Sequence, residues 1–254
     1  MKHYRRYHDE ILSRLSAAKG TDKPILFKDL KGYIGTSYDF IGLSVPAMRK
    51  VFKTGYSFTG SVKPKELLIW DDLWKNSQVF EVMSQALSFL TRALPDETPE
   101  AAWDLSRKWV RKIDNWAHSD ELSAIYASLL ETDPGMVLPQ LQEWNGSRHP
   151  WERRQSLVSL IEYSKKRKRV LPAVTLLGMV APLLHDDHYY VQKGVGWTLR
   201  EIGNVYPKEA LRFLEEHIED IRPPAFGPAV EKLDPKTKER LKQRRKRRKR
   251  ASQK

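Results

Sequence analysis

The spacing of apolar residues is the sequence feature that most constrains the fold of this chain. Across residues 1–235 they recur mainly at intervals of three and four positions, and strict two-residue alternation is almost absent. The clearest stripe runs from Val79 to Leu94 and is followed by Pro95, which ends a helix. Further helix starts with proline in the first turn are predicted after Ser44, Thr98 and Tyr206. The pattern predicts an all-α fold of about twelve helices joined by short links.

Two segments that begin 39 residues apart resemble each other. Residues 149–154 and residues 188–193 each open a predicted helix and place an aromatic residue three positions before a cation. Each is preceded by another predicted helix, at about residues 136–144 and 171–184. A helix pair that recurs at about 40 residues is typical of HEAT-type repeats. We therefore expect an α-α superhelix, a HEAT-like repeat solenoid with a concave face that binds a macromolecule.

Positive charge is concentrated at the C-terminal end. The formal net charge is +13, and residues 236–254 hold twelve Lys and Arg against the single acid Glu239. Such a block is expected to be disordered in isolation and to attract phosphate backbones or anionic lipid. We predict a globular domain in residues 1–235 and a disordered basic tail in residues 236–254. Nonspecific nucleic-acid binding is the favoured role of the tail; a nuclear-localisation signal and a solubilising end are the alternatives.

Several chemical classes lack the residues they require. The chain has no cysteine, which excludes disulfides, thiolate zinc sites and a cysteine nucleophile. P-loop, GxSxG and GxGxxG segments are also missing from the sequence. The four residues His185-Asp186-Asp187-His188 form a weak candidate metal cluster, because their spacing matches no familiar metal-binding frame. We expect no metal and no cofactor.

The cellular location is predicted from two absences in the sequence. The apolar stretch of residues 170–184 is too short, and too broken by proline, to span a membrane. The first residues are charged and are not followed by the apolar segment of a signal peptide. We therefore expect no membrane partner and a cytoplasmic, nucleoid-associated protein, or a nuclear one if the organism is eukaryotic.

Residues 112–122 contain the strongest candidate for chemistry. A helix that begins near Asn115 puts Trp116 and Asp120 one turn apart on the same face, so an indole lies beside a carboxylate. The ordinary interpretation is that Trp116 belongs to the core and that Asp120 is a surface acid.

The helix repeat adds three further candidates. It places Trp151, Arg154 and Trp197 at corresponding levels of successive helix pairs, where we expect them on the same concave wall. Their ordinary interpretations are a core indole and a solvated cation.

At these positions the sequence resembles the DNA alkylation repair family of HEAT-like repeat DNA glycosylases, which remove alkylated purines from duplex DNA. Its Trp-x-x-x-Asp motif matches Trp116 and Asp120, and its Trp-x-x-Arg motif matches Trp151 and Arg154. A longer motif, Gln/Arg-Lys-x-x-Gly-Trp-x-Leu-Arg-Glu, is almost intact in residues 192–201.

The resemblance extends towards the N-terminus and covers most of the chain, from about Tyr33 to Ile221. Residues 40–43, Phe-Ile-Gly-Leu, followed by Pro46 resemble the family's Phe-hydrophobic-Gly-hydrophobic-x-x-Pro motif. Tyr33 lies where the family has an aromatic residue on its DNA-facing wall. The chain departs from the family in residues 117–119, Ala-His-Ser, because many relatives carry an acid directly after the tryptophan.

The resemblance implies a monofunctional glycosylase that acts on cationic alkylated purines through a carboxylate-stabilised oxocarbenium ion, without a base-flipping pocket. The implied partner is double-stranded DNA containing alkylated bases, and a monomer is expected. Two alternatives remain open, a noncatalytic protein that binds bent or branched DNA and a protein-binding scaffold. The implied catalytic residues are Asp120, Trp116, Trp197 and Arg154. The implied DNA-binding residues are Tyr33, Trp151, Arg153, Lys193 and Arg200.

Overall fold

The computed structural model describes residues 2–22, 28–61, 63–93 and 98–251. Within these ranges the regular structure is helical, apart from one isolated parallel bridge between Asp39 and Val79. The predicted all-α class is therefore confirmed, with fourteen α-helices in the described residues where about twelve were expected. None of these helices is both long enough and apolar enough to cross a membrane.

The α-helices follow one another with short links. In chain order they are α1 (Lys2–Lys19), α2 (Leu30–Ile34), α3 (Val45–Lys53), α4 (Lys63–Asn76), α5 (Phe80–Ala93), α6 (Pro99–Ser106), α7 (Trp116–Thr132), α8 (Pro134–Asn145), α9 (Pro150–Val158), α10 (Ala173–Val180), α11 (Tyr189–Val205), α12 (Pro207–Glu216), α13 (Pro223–Ala229) and α14 (Pro235–Ala251). Short 3-10 helices cover Trp109–Lys112, Ser164–Lys166 and Ala181–Leu183.

The helix starts predicted from proline and polar caps are confirmed. Ser44 Oγ accepts a hydrogen bond from the backbone N–H of Ala47, and Thr98 Oγ1 accepts one from that of Ala101, both at 3.3 Å. The helix predicted after Tyr206 is α12. The predicted end of the Val79 stripe, Leu94 and Pro95, lies outside the described residues.

The chain forms two compact units, Met1–Leu122 and Ser123–Lys254. In unit 1 the helices α1, α3, α4 and α5 pack on one another. Buried aromatic rings fill much of the space between them. Trp70 of α4 stacks on Phe89 of α5 with ring centroids 5.4 Å apart. Trp74, also in α4, stacks on Trp109 at 5.0 Å. Stacking of large rings buries much apolar surface and fixes the register of these helices.

Unit 2 consists of helices that pack in a repeated pattern. Neighbours in sequence pack in pairs, α8 with α9 and α10 with α11. The second members then stack in order, α9 on α11 and α11 on α13. The two segments recognised 39 residues apart open α9 and α11, with His149 and His188 at equivalent N-cap positions. The predicted recurrence of a helix pair is therefore present in unit 2.

Helices α11 and α13 of unit 2 approach each other closely at Gly196 of α11. A methyl group added to this glycine would lie 2.3 Å from the carbonyl oxygen of Ala225 in α13, and 2.9 Å from its Cα. Backbone atoms cannot move aside as a flexible side chain can, so a larger residue would push the two helices apart. The glycine is therefore required by packing.

The basic tail differs from its prediction. Residues 236–251 are not disordered but form most of α14. Three contacts explain why this like-charged segment is helical. Asp234 Oδ1 accepts a hydrogen bond from the N–H of Thr237 at 2.9 Å, and the side chain of Leu241 is fully buried. Arg240 forms an ion pair with Glu215 of α12 at 2.5 Å.

We expect Gly196→Ala to lower the free energy of unfolding by about 1–3 kcal/mol, because the overlap with Ala225 outweighs the higher helix propensity of alanine. Urea unfolding followed by circular dichroism measures this change.

Gly178→Ala in α10 is the matched control, since a methyl group there meets nothing within 4 Å. It should raise stability by about 0.5–1 kcal/mol through helix propensity alone. Equal effects of the two substitutions would contradict the packing role of Gly196.

Candidate active site

The helix that carries Trp116 and Asp120 begins where the sequence predicts. Asn115 precedes α7, and its side-chain Oδ1 accepts a hydrogen bond of 2.9 Å from the backbone N–H of His118, which caps the first turn. Trp116 and Asp120 follow at i and i+4, so they share one face of α7. Both side chains are half-buried, which leaves part of each accessible.

The carboxylate of Asp114 ties the start of α7 to the loop after α2. It accepts hydrogen bonds from Thr36 Oγ1 at 2.9 Å, from the N–H and Oγ of Ser37 at 2.6 and 2.7 Å, and from Asn115 Nδ2 at 2.8 Å. Burial opposes ionisation, but these hydrogen bonds outweigh it and hold the pKa of Asp114 below its ordinary value. A charged carboxylate therefore joins α2 to α7.

Tyr33 and Trp116 form an aromatic pair next to Asp120. The indole N–H of Trp116 donates a hydrogen bond of 2.9 Å to the backbone oxygen of Tyr33. The two rings meet edge to face with centroids 5.4 Å apart, and Tyr33 is 56% exposed. The structure thus brings together the predicted DNA-facing tyrosine, the predicted indole and the helical turn that carries the predicted carboxylate.

His118, also in the first turn of α7, is buried and packs this turn against α5. Its ring stacks on Phe80 at 4.2 Å, and its Nε2 lies 3.2 Å from the Phe80 carbonyl oxygen and 3.0 Å from Ser84 Oγ. Because Asn115 Nδ2 donates to Nδ1 at 3.1 Å, Nε2 carries the hydrogen and the ring is neutral. Burial lowers the pKa of His118 to about 4.

The Trp-x-x-Arg motif in unit 2 joins α9 to α11. Trp151 is only 6% exposed and stacks on Tyr190 with centroids 5.2 Å apart. Arg154 is 3% exposed, and its Nη1 donates to the backbone oxygen of Tyr190 at 2.8 Å. The predicted contact of Trp151 with DNA is not supported, because its ring is covered by unit 2 itself.

Arg153, predicted to bind DNA, is also engaged within unit 2. Its Nε and Nη2 donate to the two carboxylate oxygens of Asp186 at 2.5 and 3.2 Å, and its Nη1 donates to the backbone oxygen of Ser147 at 2.9 Å. A bidentate arginine–carboxylate pair in a partly buried position is a strong structural contact. Arg153 therefore fixes the turn before α11, and the structure gives no support to a phosphate contact.

One face of α11 carries the remaining predicted residues. Lys193, Trp197 and Arg200 follow at i, i+4 and i+7, and all three are partly exposed. The guanidinium of Arg200 lies 5.6 Å from the ring centroid of Trp197, a cation–π distance.

Arg200 is held by two carboxylates, which the sequence did not predict. Its Nε and Nη2 donate to Glu201 Oε1 at 3.1 and 3.0 Å, and its Nη1 donates to Glu231 Oε2 at 2.9 Å. A phosphate would therefore have to compete with Glu231 for this arginine. Lys193 and Trp197 are the members of this face better suited to contact DNA.

Tyr163 is a residue of this region that sequence reasoning missed. It is 46% exposed, and its ring meets that of Trp197 edge to face at 5.3 Å. The ammonium of Lys166 lies 4.3 Å from its ring centroid. Its backbone has a φ of 44°, the single positive value for a non-glycine residue among those described. No local sequence signal announces such a conformation, whereas the Asp114-Asn115 pair before a helix is a recognisable capping signal.

The four predicted catalytic residues lie in different units, Trp116 and Asp120 in unit 1 and Arg154 and Trp197 in unit 2. That they share one concave wall stays a prediction. Among the described residues no group of three or more His, Asp or Glu side chains could hold a metal ion. The members of the His185–His188 segment have other contacts, namely His185 with Asp220, Asp186 with Arg153, Asp187 with Arg222 and His188 with Trp151.

The fold and the family follow from comparison with known proteins. A solved structure, that of a predicted DNA alkylation repair enzyme from Enterococcus faecalis, superposes with a TM-score of 0.70 at 16% sequence identity. The match covers 84% of this chain and 97% of the other, and it shows a shared fold. The sequence model of the DNA alkylation repair enzyme family matches residues 19–233, so the chain belongs to that family. No curated protein sequence matches it.

We expect the contribution of His118 to the free energy of unfolding to fall by up to about 3 kcal/mol as the pH drops from 6.5 to 4. The unfolded chain takes up the histidine proton near its ordinary pKa of 6.5, but the folded chain does so only near 4. The stabilisation is therefore complete above pH 6.5 and is lost as the pH falls through this window. Asp114 titrates below the window, because its pKa is lowered from 3.8. Desolvation raises the pKa of Glu121 to about 7, so Glu121 changes stability in the opposite direction over the same window, and the contribution of His118 has to be measured as a difference between two proteins.

Urea unfolding across this pH range should show that the stability of the wild type relative to His118→Gln decreases by up to about 3 kcal/mol as the pH falls from 6.5 to 4. His185→Gln is the control, because the side chain of His185 is 71% exposed. An unchanged slope in His118→Gln would contradict the neutral, buried state of His118.

Proposed function

We propose that this protein is a monofunctional DNA glycosylase that hydrolyses the N-glycosidic bond of cationic alkylated purines in duplex DNA. The observation that carries the proposal is the rigid start of α7, where Trp116 is fixed against Tyr33 and Asp120 follows one turn later. Membership of a DNA alkylation repair family supports DNA as the substrate.

The chemistry needs few groups because the substrate is already activated. A purine alkylated at N3 or N7 is cationic and leaves as a neutral base, so no general acid has to protonate it. The barrier comes from positive charge that develops at C1′ of the sugar. A carboxylate about 4 Å from this centre, at an effective dielectric near 20, lowers the barrier by roughly 4 kcal/mol, or about a thousandfold in rate.

Asp120 is the residue to which we assign this electrostatic role. It also orients the water that attacks C1′ once the base has left. The same turn supplies no amine nucleophile of the kind that a lyase step requires, which supports hydrolysis alone.

The aromatic residues hold the substrate in this proposal. An indole face carries negative π density, so Trp116 in unit 1 and Trp197 in unit 2 attract a cationic lesion or sugar. Tyr33 extends the surface of Trp116 with a further exposed ring. DNA phosphates are bound by Lys193, while Arg200 contributes only if phosphate displaces Glu231. Arg154, which is 3% exposed and donates to the backbone of Tyr190, holds α9 against α11 and so positions the face of α11 that carries Lys193.

The proposed enzyme acts without a base-flipping pocket. Many glycosylases extrude the damaged base into a closed site, where hydrogen bonds to its edge decide which bases are removed. Here selectivity comes from the charge of the lesion, because only a cationic base leaves readily with a carboxylate as the sole catalytic charge.

We expect Asp120→Asn to lower the release of 3-methyladenine and 7-methylguanine from methylated duplex DNA by about a thousandfold, because the neutral amide cannot stabilise charge at C1′. Chromatography of the released bases measures the rate, and a binding assay on the same duplex should show little change. Asp9→Asn is the matched control, since Asp9 of α1 is an exposed carboxylate.

Wild-type protein that binds duplex DNA and releases neither base would contradict the proposal. The noncatalytic DNA-binding alternative would then be the better account.

We also expect the protein to discriminate strongly by lesion charge. Uracil and hypoxanthine are uncharged in the nucleotide and leave as anions unless an acid protonates them, so their release should be slower than that of 3-methyladenine by several orders of magnitude. Single-turnover assays on duplexes with one defined lesion test this. Comparable rates for neutral and cationic lesions would show that the site protonates or extrudes the base.

A further inference from the structure

Helix α14 carries a dense cluster of positive charge that takes no part in the proposed α7 site. We propose that α14 is a preformed helix that binds the phosphate backbone of duplex DNA without regard to sequence or damage. The proposal is independent of base excision, because it concerns undamaged DNA and residues of unit 2 alone.

Specific contacts anchor α14 to unit 2. Leu241 is its single apolar residue between positions 236 and 250, and it is fully buried. One turn later the guanidinium of Arg245 lies 4.8 Å from the ring centroid of Phe226 in α13. On the other side Arg240 pairs with Glu215 of α12. These contacts fix which face of α14 is turned towards unit 2.

The other sides of α14 carry exposed cations. The side chains of Lys242, Arg244 and Lys246 face solvent. Lys242 and Lys246, one helical turn apart, also line a shallow hollow together with Arg245 and Phe226. A hollow with three cations on its wall suits a phosphate group, for which Lys and Arg are the usual partners.

The linear charge density of α14 approaches that of DNA. Residues 240–250 contain nine Lys and Arg and no acid, and the helical backbone extends through them. Without Arg240 and Arg245, which contact unit 2, the other cations are spaced at roughly one per 2.4 Å, at about 1.5 Å per residue. Duplex DNA carries about one negative charge per 1.7 Å of its axis. A duplex alongside α14 would therefore neutralise the repulsion between neighbouring cations of the helix.

Duplex DNA fits this helix better than a lipid surface does. An amphipathic helix that binds a bilayer inserts a broad apolar face, and the only apolar residue in this stretch of α14 is Leu241, which unit 2 already buries. Membership of a DNA alkylation repair family points to the same polyanion.

The test compares two full-length variants that lose equal charge. Lys242→Gln, Arg244→Gln and Lys246→Gln are combined in one. In the control, Lys208→Gln, Arg212→Gln and Lys232→Gln replace exposed cations near α14. Affinity for an undamaged 20-base-pair duplex is measured by fluorescence anisotropy between 50 and 200 mM salt.

We expect the α14 variant to bind at least tenfold more weakly at 50 mM salt, with a slope of log affinity against log salt that is smaller by about 2–3. The control should lose less than threefold and keep the slope. Equal losses in the two variants would overturn the proposal, because net charge alone would then explain binding. Both variants are also tested on vesicles containing phosphatidylserine. If the α14 variant lost vesicle binding but bound the duplex as the wild type does, the proposal would be overturned in favour of a lipid surface.

A second variant, Leu241→Ser, tests whether the helix is preformed. It keeps every charge but removes the anchor, so amide exchange over residues 235–246 should accelerate and duplex affinity should fall severalfold, because binding must now order the helix. Faster exchange with unchanged affinity and salt slope would show that a flexible tail binds equally well, and would overturn the preformed helix.

Base release from methylated duplex is measured for the same proteins at saturating enzyme concentration. Absence of excision in all of them would remove the glycosylase proposal without affecting the α14 result. Asp120→Asn, in turn, should bind undamaged duplex as the wild type does.

Discussion

The hydrogen bonds that converge on Asp114 are the interaction on which the α7 site depends. A half-buried carboxylate is unfavourable unless several donors compensate for lost solvent, and here Thr36, Ser37 and Asn115 supply them. The carboxylate accepts hydrogen bonds from the loop after α2 and from the residue before α7. It therefore holds together two segments that are 77 residues apart in sequence. The hydrogen bond from Trp116 to the backbone oxygen of Tyr33 joins the same two segments. Side-chain orientation at the site thus follows from a backbone arrangement set by one charge.

In unit 2 helix α11 contacts most of its neighbours, and several residues of the motif in positions 192–201 hold these contacts. Gln192 Nε2 donates to the backbone oxygens of Leu183 and Asp186, both at 2.9 Å, which closes the turn before the helix. Gly196 allows the backbone of α13 to pack closely against α11. Glu201 accepts hydrogen bonds from the N–H and Oγ of Ser164. The positions that carry the family resemblance therefore include many that build unit 2. Lys193 and Trp197 are left partly exposed between them.

Local signals in the sequence predicted local structure well, and long-range pairing was beyond them. Proline and polar caps identified the starts of α3, α6 and α12, because a cap acts within four residues. The motif also identified the α7 pair, since i and i+4 share a face in any helix. By contrast, the partners of Arg153 and Arg200 depend on tertiary packing, as does the anchoring of Leu241 that turns a like-charged segment into α14. A cation in a sequence carries no indication of which acid it will meet.

His118 follows Ala117, the position where the chain lacks the acid that many relatives carry, and its protonation state affects the charge near Asp120. An imidazolium on the first turn of α7 would offset the negative charge of Asp120, and a carboxylate weakened in this way would stabilise less positive charge at C1′. Burial against Phe80, with both ring nitrogens hydrogen-bonded, keeps the ring neutral at physiological pH. The histidine thus contributes packing and hydrogen bonds to the turn but no charge. His118 therefore does not offset the negative charge of Asp120 on the same helix.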